Sequence, residues 1–166
     1  SERLVVGASG AAGNPITIQV GQDSVHNGVV VLDGTSAGNY NGITISGRNY
    51  VKISGQVGTG SSQNIKVQNF YNSGVNIERA SSNIEIAYIE TEQNNKNGET
   101  GSYGLYVNNP TTLTTGLLAE IHHCKFHNNV NTMEVRFYQT YIGTRLTYDQ
   151  IKFHHNDVYD AHADWI

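Results

Sequence analysis

The fold is decided by four short segments, GITIS (42–46), GVNIE (74–78), GLYVN (104–108) and TMEVR (132–136). In each segment, apolar residues alternate with polar ones, which is the period of a β-strand with one buried face. The segments begin 32, 30 and 28 residues apart. A repeat near thirty residues that carries several short strands is typical of a solenoid, so the spacing predicts stacked parallel coils.

A second column of segments lies between the first ones and reads NIKVQNFYN (64–72), NIEIAYIET (83–91), AEIHHCKF (119–126) and QIKFHHNDV (150–158). Each contains two short strands separated by a two-residue gap, which predicts a tight corner between them. VKISG (51–55) competes with the first of these segments for one strand position. We interpret the intervening residues 58–63 as a loop insertion rather than as an additional coil.

The apolar positions of both columns predict a single stacked core. The residues that we expect to point inward are Ile43, Ile65, Val75, Ile77, Ile84, Ile86, Leu105, Val107, Ile121, Met133, Val135, Ile151 and Phe153.

Composition agrees with an all-β chain and excludes several functions. The 166 residues include 18 Gly and 2 Pro, only 14% are charged, and no window keeps a helical period. The net charge of −4 disfavours nucleic acid as a partner, and no apolar run is long enough to span a membrane. The single cysteine, Cys124, cannot form an internal disulfide, and its inward position predicts a small core residue.

Three runs resemble a known family: AGNPITIQVG…VVVLDG (12–34), GITISGRNYVKISG (42–55) and GVNIERASSNIEIAYIET (74–91). They are similar to the N-terminal coils of bacterial right-handed parallel β-helix proteins of the pectate-lyase-like (pectin lyase fold) superfamily. The resemblance implies a β-helix of about five coils of roughly 28–35 residues. It also implies secretion to the extracellular space or periplasm. We expect residues 1–166 to form one domain, as a fragment of a longer chain that is monomeric at full length.

The resemblance further implies activity on a polysaccharide, with a substrate groove on the outward face of the first column. A lyase or a glycoside hydrolase acting on an acidic, uronic-acid polysaccharide is the expected function, and Ca²⁺ is a possible cofactor. The alternative is a non-catalytic solenoid that binds carbohydrate or is structural, such as an adhesin or a phage tailspike segment. We assign no residue to a metal site.

Candidate site residues follow from the chemistry of such substrates. Uronic-acid lyases need a cation to neutralise the substrate carboxylate and a base to remove a proton. Glu134 and Arg136 lie two apart on one predicted strand, so they should leave the same face, as a catalytic pair or as an exposed ion pair. His162 and Asp164 resemble the turns that enter an active-site strand in this superfamily. Substrate binding is assigned to Asn76, Glu78, Tyr106, Asn108 and Trp165.

Two histidine pairs, His122–His123 and His154–His155, fall at the predicted tight corner of successive coils. We expect His122 to stack near His154 and His123 near His155, at about the 4.8 Å strand spacing. The pairs are interpreted as a structural ladder, with Zn²⁺ or Ni²⁺ binding as the alternative. His127, next to Asn128–Asn129, is interpreted as a solvated turn residue.

Overall fold

The computed structural model describes residues 2–38, 40–95, 103–108, 117–130, 134–138 and 150–160. The described residues are all β, and they form fifteen short strands. The strands are β1 Leu4–Val5, β2 Ile16–Gln19, β3 Val30–Asp33, β4 Ile43–Ser46, β5 Asn49–Ser54, β6 Ile65–Gln68, β7 Val75–Glu78, β8 Ser82–Ala87, β9 Ile89–Glu92, β10 Leu105–Asn108, β11 Ala119–His122, β12 Lys125–His127, β13 Val135–Tyr138, β14 Ile151–His154 and β15 Asp157–Tyr159.

Every third strand joins the same parallel sheet, so the chain winds as a three-sided solenoid. The first sheet has the order β1-β4-β7-β10-β13, the second β2-β5-β8-β11-β14, and the third β3-β6-β9-β12-β15. Five strands in each sheet give about four turns from the first coil to the last. The predicted parallel β-helix is therefore confirmed.

Aliphatic side chains fill the interior in register from coil to coil. In the first sheet, Val75 pairs with Ile43 on one side and with Leu105 on the other, and all three are fully buried. Most predicted inward residues are buried, and Val135 and Ile151 pack against the core as half-buried residues. Phe153 is 36% exposed because β14 pairs with β11 alone. Met133 lies outside the described residues.

A single residue in the left-handed conformation turns the chain after most strands. In the second sheet Tyr88, His123 and His155 follow β8, β11 and β14 directly, with φ of 54°, 55° and 53°. In the third sheet the residues that directly follow β6, β9, β12 and β15 also have positive φ. These residues are Asn69, Gln93, Asn128 and Asp160.

Buried asparagines connect the coils where the third sheet turns toward the first. Asn94 Oδ1 accepts a hydrogen bond from the Phe70 amide at 3.0 Å, and its Nδ2 donates to the Val67 carbonyl. One coil farther on, Asn129 Oδ1 accepts from the Asn94 amide at 3.1 Å. The ladder satisfies backbone groups that the turn leaves without strand partners.

Two features of the predicted alignment are wrong. β6 does not occupy the corner column, because Ile65 pairs with Ile89 in the third sheet, whereas Val51 of β5 pairs with Ile84. Both strands read apolar-x-apolar, so alternation alone could not assign them to sheets. The loop interpretation of residues 58–63 is confirmed, since they lie in the connection between β5 and β6.

The second error is the register of the last first-sheet segment. Leu105 pairs with Val135 and Tyr106 with Arg136, so β13 is displaced by two residues from the predicted alignment. A displacement of two keeps every side chain on its predicted face of a strand. It does, however, move Glu134 out of the strand and opposite Gly104, where the Leu105 amide bonds the Glu134 carbonyl.

Candidate functional site

Polar and aromatic side chains line the outer side of the first sheet in two rows that run along the solenoid. One row places Tyr106 between Asn76 and Arg136, and the other places Asn108 between Glu78 and Tyr138. Thr44 and Ser46 extend the rows onto the second coil. We call these eight residues the first-sheet face. Parallel pairing therefore brings four predicted site residues, Asn76, Glu78, Tyr106 and Asn108, together with Arg136.

Arg136 is surrounded by tyrosine side chains. Its guanidinium carbon lies 4.8 Å from the ring centroid of Tyr138 and 5.3 Å from that of Tyr103. Its Nη1 donates a hydrogen bond to the Tyr103 hydroxyl, which is the main reason that the pKa of Arg136 is raised. Tyr106 is the third tyrosine of the group, and its ring centroid lies 5.0 Å from that of Tyr103 and 6.4 Å from that of Tyr138. The group is thus a permanently charged cation on a partly open aromatic surface.

Two amide oxygens on this face have unused hydrogen-bonding capacity. Asn76 Oδ1 and Asn108 Oδ1 are buried and have no hydrogen-bond partner among the described residues. Asn76 Nδ2 donates to Glu78 Oε2 at 3.2 Å, which fixes the orientation of that amide. A buried acceptor without a donor costs stability. Neither oxygen is exposed, so a ligand hydroxyl could reach it only if neighbouring atoms moved.

Tyr106 lies between the cation and the carboxylate of this face. Burial raises the pKa of its phenol, and the positive charge of Arg136 opposes that shift. Because the shift is upward, the phenol holds its proton at neutral pH and can donate it.

Glu134 does not lie on the first-sheet face. It is buried, and its Oε1 accepts a hydrogen bond from the Asn129 amide at 3.0 Å. The expectation that Glu134 and Arg136 leave the same face is wrong, because Glu134 precedes β13 and its carboxylate closes the asparagine ladder. A catalytic role for either residue stays a prediction. His162, Asp164 and Trp165 lie outside the described residues.

The second-sheet corner carries the predicted histidine stack. His122 and His154 have ring centroids 5.3 Å apart and rings parallel to 3°, and His123 and His155 are 5.0 Å apart and parallel to 2°. Tyr88 continues the second stack at 4.9 Å from His123. The stacking prediction is confirmed, and Ala87–Tyr88 occupy this corner one coil earlier.

A hydrogen bond joins the two rings of each histidine pair. The Nδ1 atoms of His122 and His123 are 2.9 Å apart, and those of His154 and His155 are 2.7 Å apart, so in each pair one Nδ1 donates the hydrogen bond and the other accepts it. Burial, followed by the charges of the three neighbouring histidines, lowers the pKa of His123. Glu120 accepts a hydrogen bond from His154, and this bond lowers the pKa of its carboxyl group.

Cys124 has the predicted role of a small core residue. It is 1% exposed, and burial raises its pKa to about 12, so it is a thiol at neutral pH. Its amide bonds Asn156 Oδ1, which ties the fourth coil to the fifth.

The third sheet carries a cluster that sequence reasoning missed. Glu90, Glu92 and His127 offer ligand atoms that all lie within 4.8 Å of one another. His127 is 6% exposed, so its interpretation as a solvated turn residue is wrong. The usable signal was the alternation of β9 and β12, which places Glu90, Glu92 and His127 on one side of the third sheet.

Comparisons of the chain with protein-family models, with curated proteins and with solved structures found no significant match. None of the described residues belongs to a helix that could cross a membrane.

The histidine stack predicts a stability that falls at acidic pH. The folded pKa of His123 lies below its ordinary value of 6.5, so the unfolded chain binds more protons as the pH falls through that value. The free energy of unfolding should therefore decrease between about pH 7 and pH 5, and the lowered pKa of Glu120 extends the loss to lower pH. Urea denaturation followed by circular dichroism at a series of pH values measures this.

A variant isolates the contribution of the stack. His123→Tyr places at this corner the residue that Tyr88 already supplies one coil earlier with the same φ, and it should flatten the pH dependence above pH 5. Thr17→Ala, an exposed change without a titratable group, should retain the full dependence. An unchanged slope in His123→Tyr would contradict the prediction.

Glu134 should act on stability. Removing its carboxylate leaves the buried Asn129 amide without an acceptor, so Glu134→Ala should lower the free energy of unfolding by about 1–3 kcal/mol. Glu78→Ala, which removes a carboxylate from the first-sheet face, should cost less. Equal losses in the two variants, measured by chemical denaturation, would show that the ladder does not need Glu134.

Proposed function

We propose that the protein is a secreted right-handed β-helix of the pectate-lyase-like kind that binds an acidic polysaccharide along its first-sheet face. The observation that carries the proposal is the Arg136 guanidinium packed against Tyr103 and Tyr138, with Tyr106 alongside. A fixed guanidinium can bind a carboxylate through two parallel hydrogen bonds. Flat aromatic rings beside it offer the apolar surface that a sugar ring needs.

The shape of the face supports a linear polymer as the ligand. Its rows cross four coils, from Thr44 through Asn76 and Tyr106 to Arg136, at the regular spacing of parallel strands. The two amide oxygens without partners lie within these rows, and a small movement of the atoms that cover them would let each accept a hydrogen bond from a sugar hydroxyl. A chain of sugars can meet the cation at one point and the amides at others.

Turnover by a lyase or hydrolase is the second candidate function. It is favoured by the charged groups near Tyr106, because the positive charge of Arg136 and the negative charge of Glu78 both act on its phenol. Such a set could neutralise a uronate carboxylate at Arg136 and move a proton through the phenol or the carboxylate. A structural solenoid of the adhesin or tailspike type would need only binding.

The binding proposal predicts that Arg136→Gln loses affinity for acidic polysaccharides. Its affinity for polygalacturonate, measured by isothermal titration calorimetry, should fall by about 10- to 100-fold, as expected when a hydrogen bond to a charged group is lost. Lys152→Gln removes one positive charge from the second sheet and is the matched control. It should retain wild-type affinity. Equal weakening in both variants would show that the effect depends only on the net charge of the protein. If binding of neutral dextran also depended on Arg136, the ligand would not need to be acidic.

The turnover proposal predicts that Tyr106→Phe binds polygalacturonate normally but forms no product. The assay follows unsaturated and reducing ends over a panel of acidic and neutral polysaccharides, with added Ca²⁺ and with chelator. Retained turnover in Tyr106→Phe would remove the phenol from the reaction. A wild-type protein that binds without forming either kind of end would assign the face to binding alone.

A further inference from the structure

The outer side of the third sheet presents a mixed set of charged and aromatic side chains. Lys66 pairs with Glu90 across one strand interface, and Lys125 pairs with Glu90 across the next. Glu92 and His127 lie two residues farther along these strands, on the same side of the sheet. Glu90, Glu92 and His127 together form what we call the third-sheet cluster.

The ligand atoms of the third-sheet cluster converge. His127 Nε2 lies 2.8 Å from Glu90 Oε1 and 4.0 Å from Glu92 Oε2. Zinc binds imidazole nitrogen at about 2.0–2.1 Å and carboxylate oxygen at about 2.0–2.2 Å. Ligands around one such ion are therefore separated by about 3–3.6 Å, so only small side-chain shifts would admit an ion.

His127 is held rigidly for an outward-facing side chain. The ring of Tyr159, from the next coil, stacks on it at 4.7 Å and 4°, and only 7% of its side chain is exposed. Asn128 Nδ2 lies 3.0 Å from His127 Nδ1. A metal at Nε2 requires the other orientation of this amide, in which Asn128 Oδ1 would accept a hydrogen bond from Nδ1–H, the usual outer contact of a metal-binding histidine.

Lys66 partly neutralises the cluster, yet it uses a different oxygen. Its Nζ lies 2.7 Å from Glu92 Oε1, whereas Glu92 Oε2 is the atom that turns toward His127. The hydrogen bond to Glu92 raises the pKa of Lys66, and the negative charges of Glu92 and Glu90 add to the shift. The second carboxylate, Glu90, has no ion pair to a lysine among the described residues, and a cation bound between the two would meet opposite charge from both.

A similar group on the second sheet shows what the cluster adds. There Glu85 also contacts a lysine, Lys52 at 2.7 Å, and a histidine, His122 at 3.3 Å. The second carboxylate there, Glu120, is paired with Glu85 across the strands but contacts His154. The group is not among the sets of three metal-binding side chains that converge in the described residues. It therefore provides an internal control for a histidine–carboxylate pair that does not form a three-ligand site.

We propose that Glu90, Glu92 and His127 bind one divalent transition-metal ion, of which Zn²⁺ is the probe. One imidazole nitrogen and two carboxylate oxygens suit such an ion, with water completing its coordination. The site lies on the third sheet, apart from the first-sheet face, and it joins β9 of the third coil to β12 of the fourth. Its role is to clip two coils together, because an ion that binds only the folded chain raises its stability.

The test is calorimetric titration of the metal-free chain with ZnCl₂ at pH 7, for wild type and four variants. Wild type should bind one ion, and Glu90→Gln and Glu92→Gln should each bind at least tenfold more weakly. Lys66→Gln should bind more tightly, because it removes a positive charge beside the ion. Glu85→Gln should match wild type.

Thermal unfolding with and without ZnCl₂ gives a second measure. The ion should raise the melting temperature of wild type, Glu85→Gln and Lys66→Gln, and it should leave that of Glu90→Gln unchanged. If Glu85→Gln loses Zn²⁺ while Glu90→Gln retains it, the ion binds at the histidine stack and the proposal is overturned. It is equally overturned by the absence of wild-type binding at millimolar ZnCl₂. If Glu90→Gln fails to fold, the other two variants decide. The proposal then requires that Lys66→Gln bind Zn²⁺ more tightly than wild type and that Glu92→Gln bind it more weakly. Any other result for these two variants overturns it.

Discussion

The left-handed residue that follows most strands is the constraint on which the rest of the structure depends. Residues other than glycine adopt this conformation at a cost of roughly 1–2 kcal/mol each. The chain does so repeatedly, at Tyr88, His123 and His155 in one corner and at Asn69 and Gln93 in another. Because the turn falls at the same place in successive coils from β6 onward, those coils superimpose, and their strands can pair in register. Core packing, ladders and surface rows all follow from that repetition.

Exact stacking also decides the chemistry of the surface. A side chain on a parallel coil meets its counterparts about 4.8 Å above and below, so like groups are forced together. At the second-sheet corner this brings flat imidazole rings into parallel stacks. On the third sheet, the same geometry brings Glu90 and Glu92 against His127, with Lys66 beside them. Neighbouring coils therefore build multi-residue sites from side chains about thirty positions apart in the chain.

Alternation and repeat spacing were enough to predict the parallel solenoid, most of the core and the histidine stack. The stack was predictable because a pair of adjacent histidines occurs twice, at matching distances from apolar residues. Alternation could not place β6, because apolar-x-apolar fits any of the three sheets. Nor could it detect the two-residue displacement of β13, which leaves every strand residue on its face. The spacing of the glycines would have given the correct register of β13. Gly74 and Gly104 are thirty residues apart, and thirty residues after Gly104 is Glu134, which lies opposite Gly104 in the structure.

The first-sheet face lacks the repetition of like residues that builds the histidine stack and the asparagine ladder. One of its rows changes from Thr44 to Asn76, Tyr106 and Arg136, so no residue type repeats between neighbouring coils. A ladder stabilises a solenoid by repetition, as the asparagines and histidines do, and unlike residues in a row cannot act in that way. Two buried amide oxygens on this face also lack partners among the described residues, which lowers stability. Repetition between coils explains neither feature, and the proposed polysaccharide ligand, which would bring a carboxylate to Arg136, is our explanation for the unlike residues of the row.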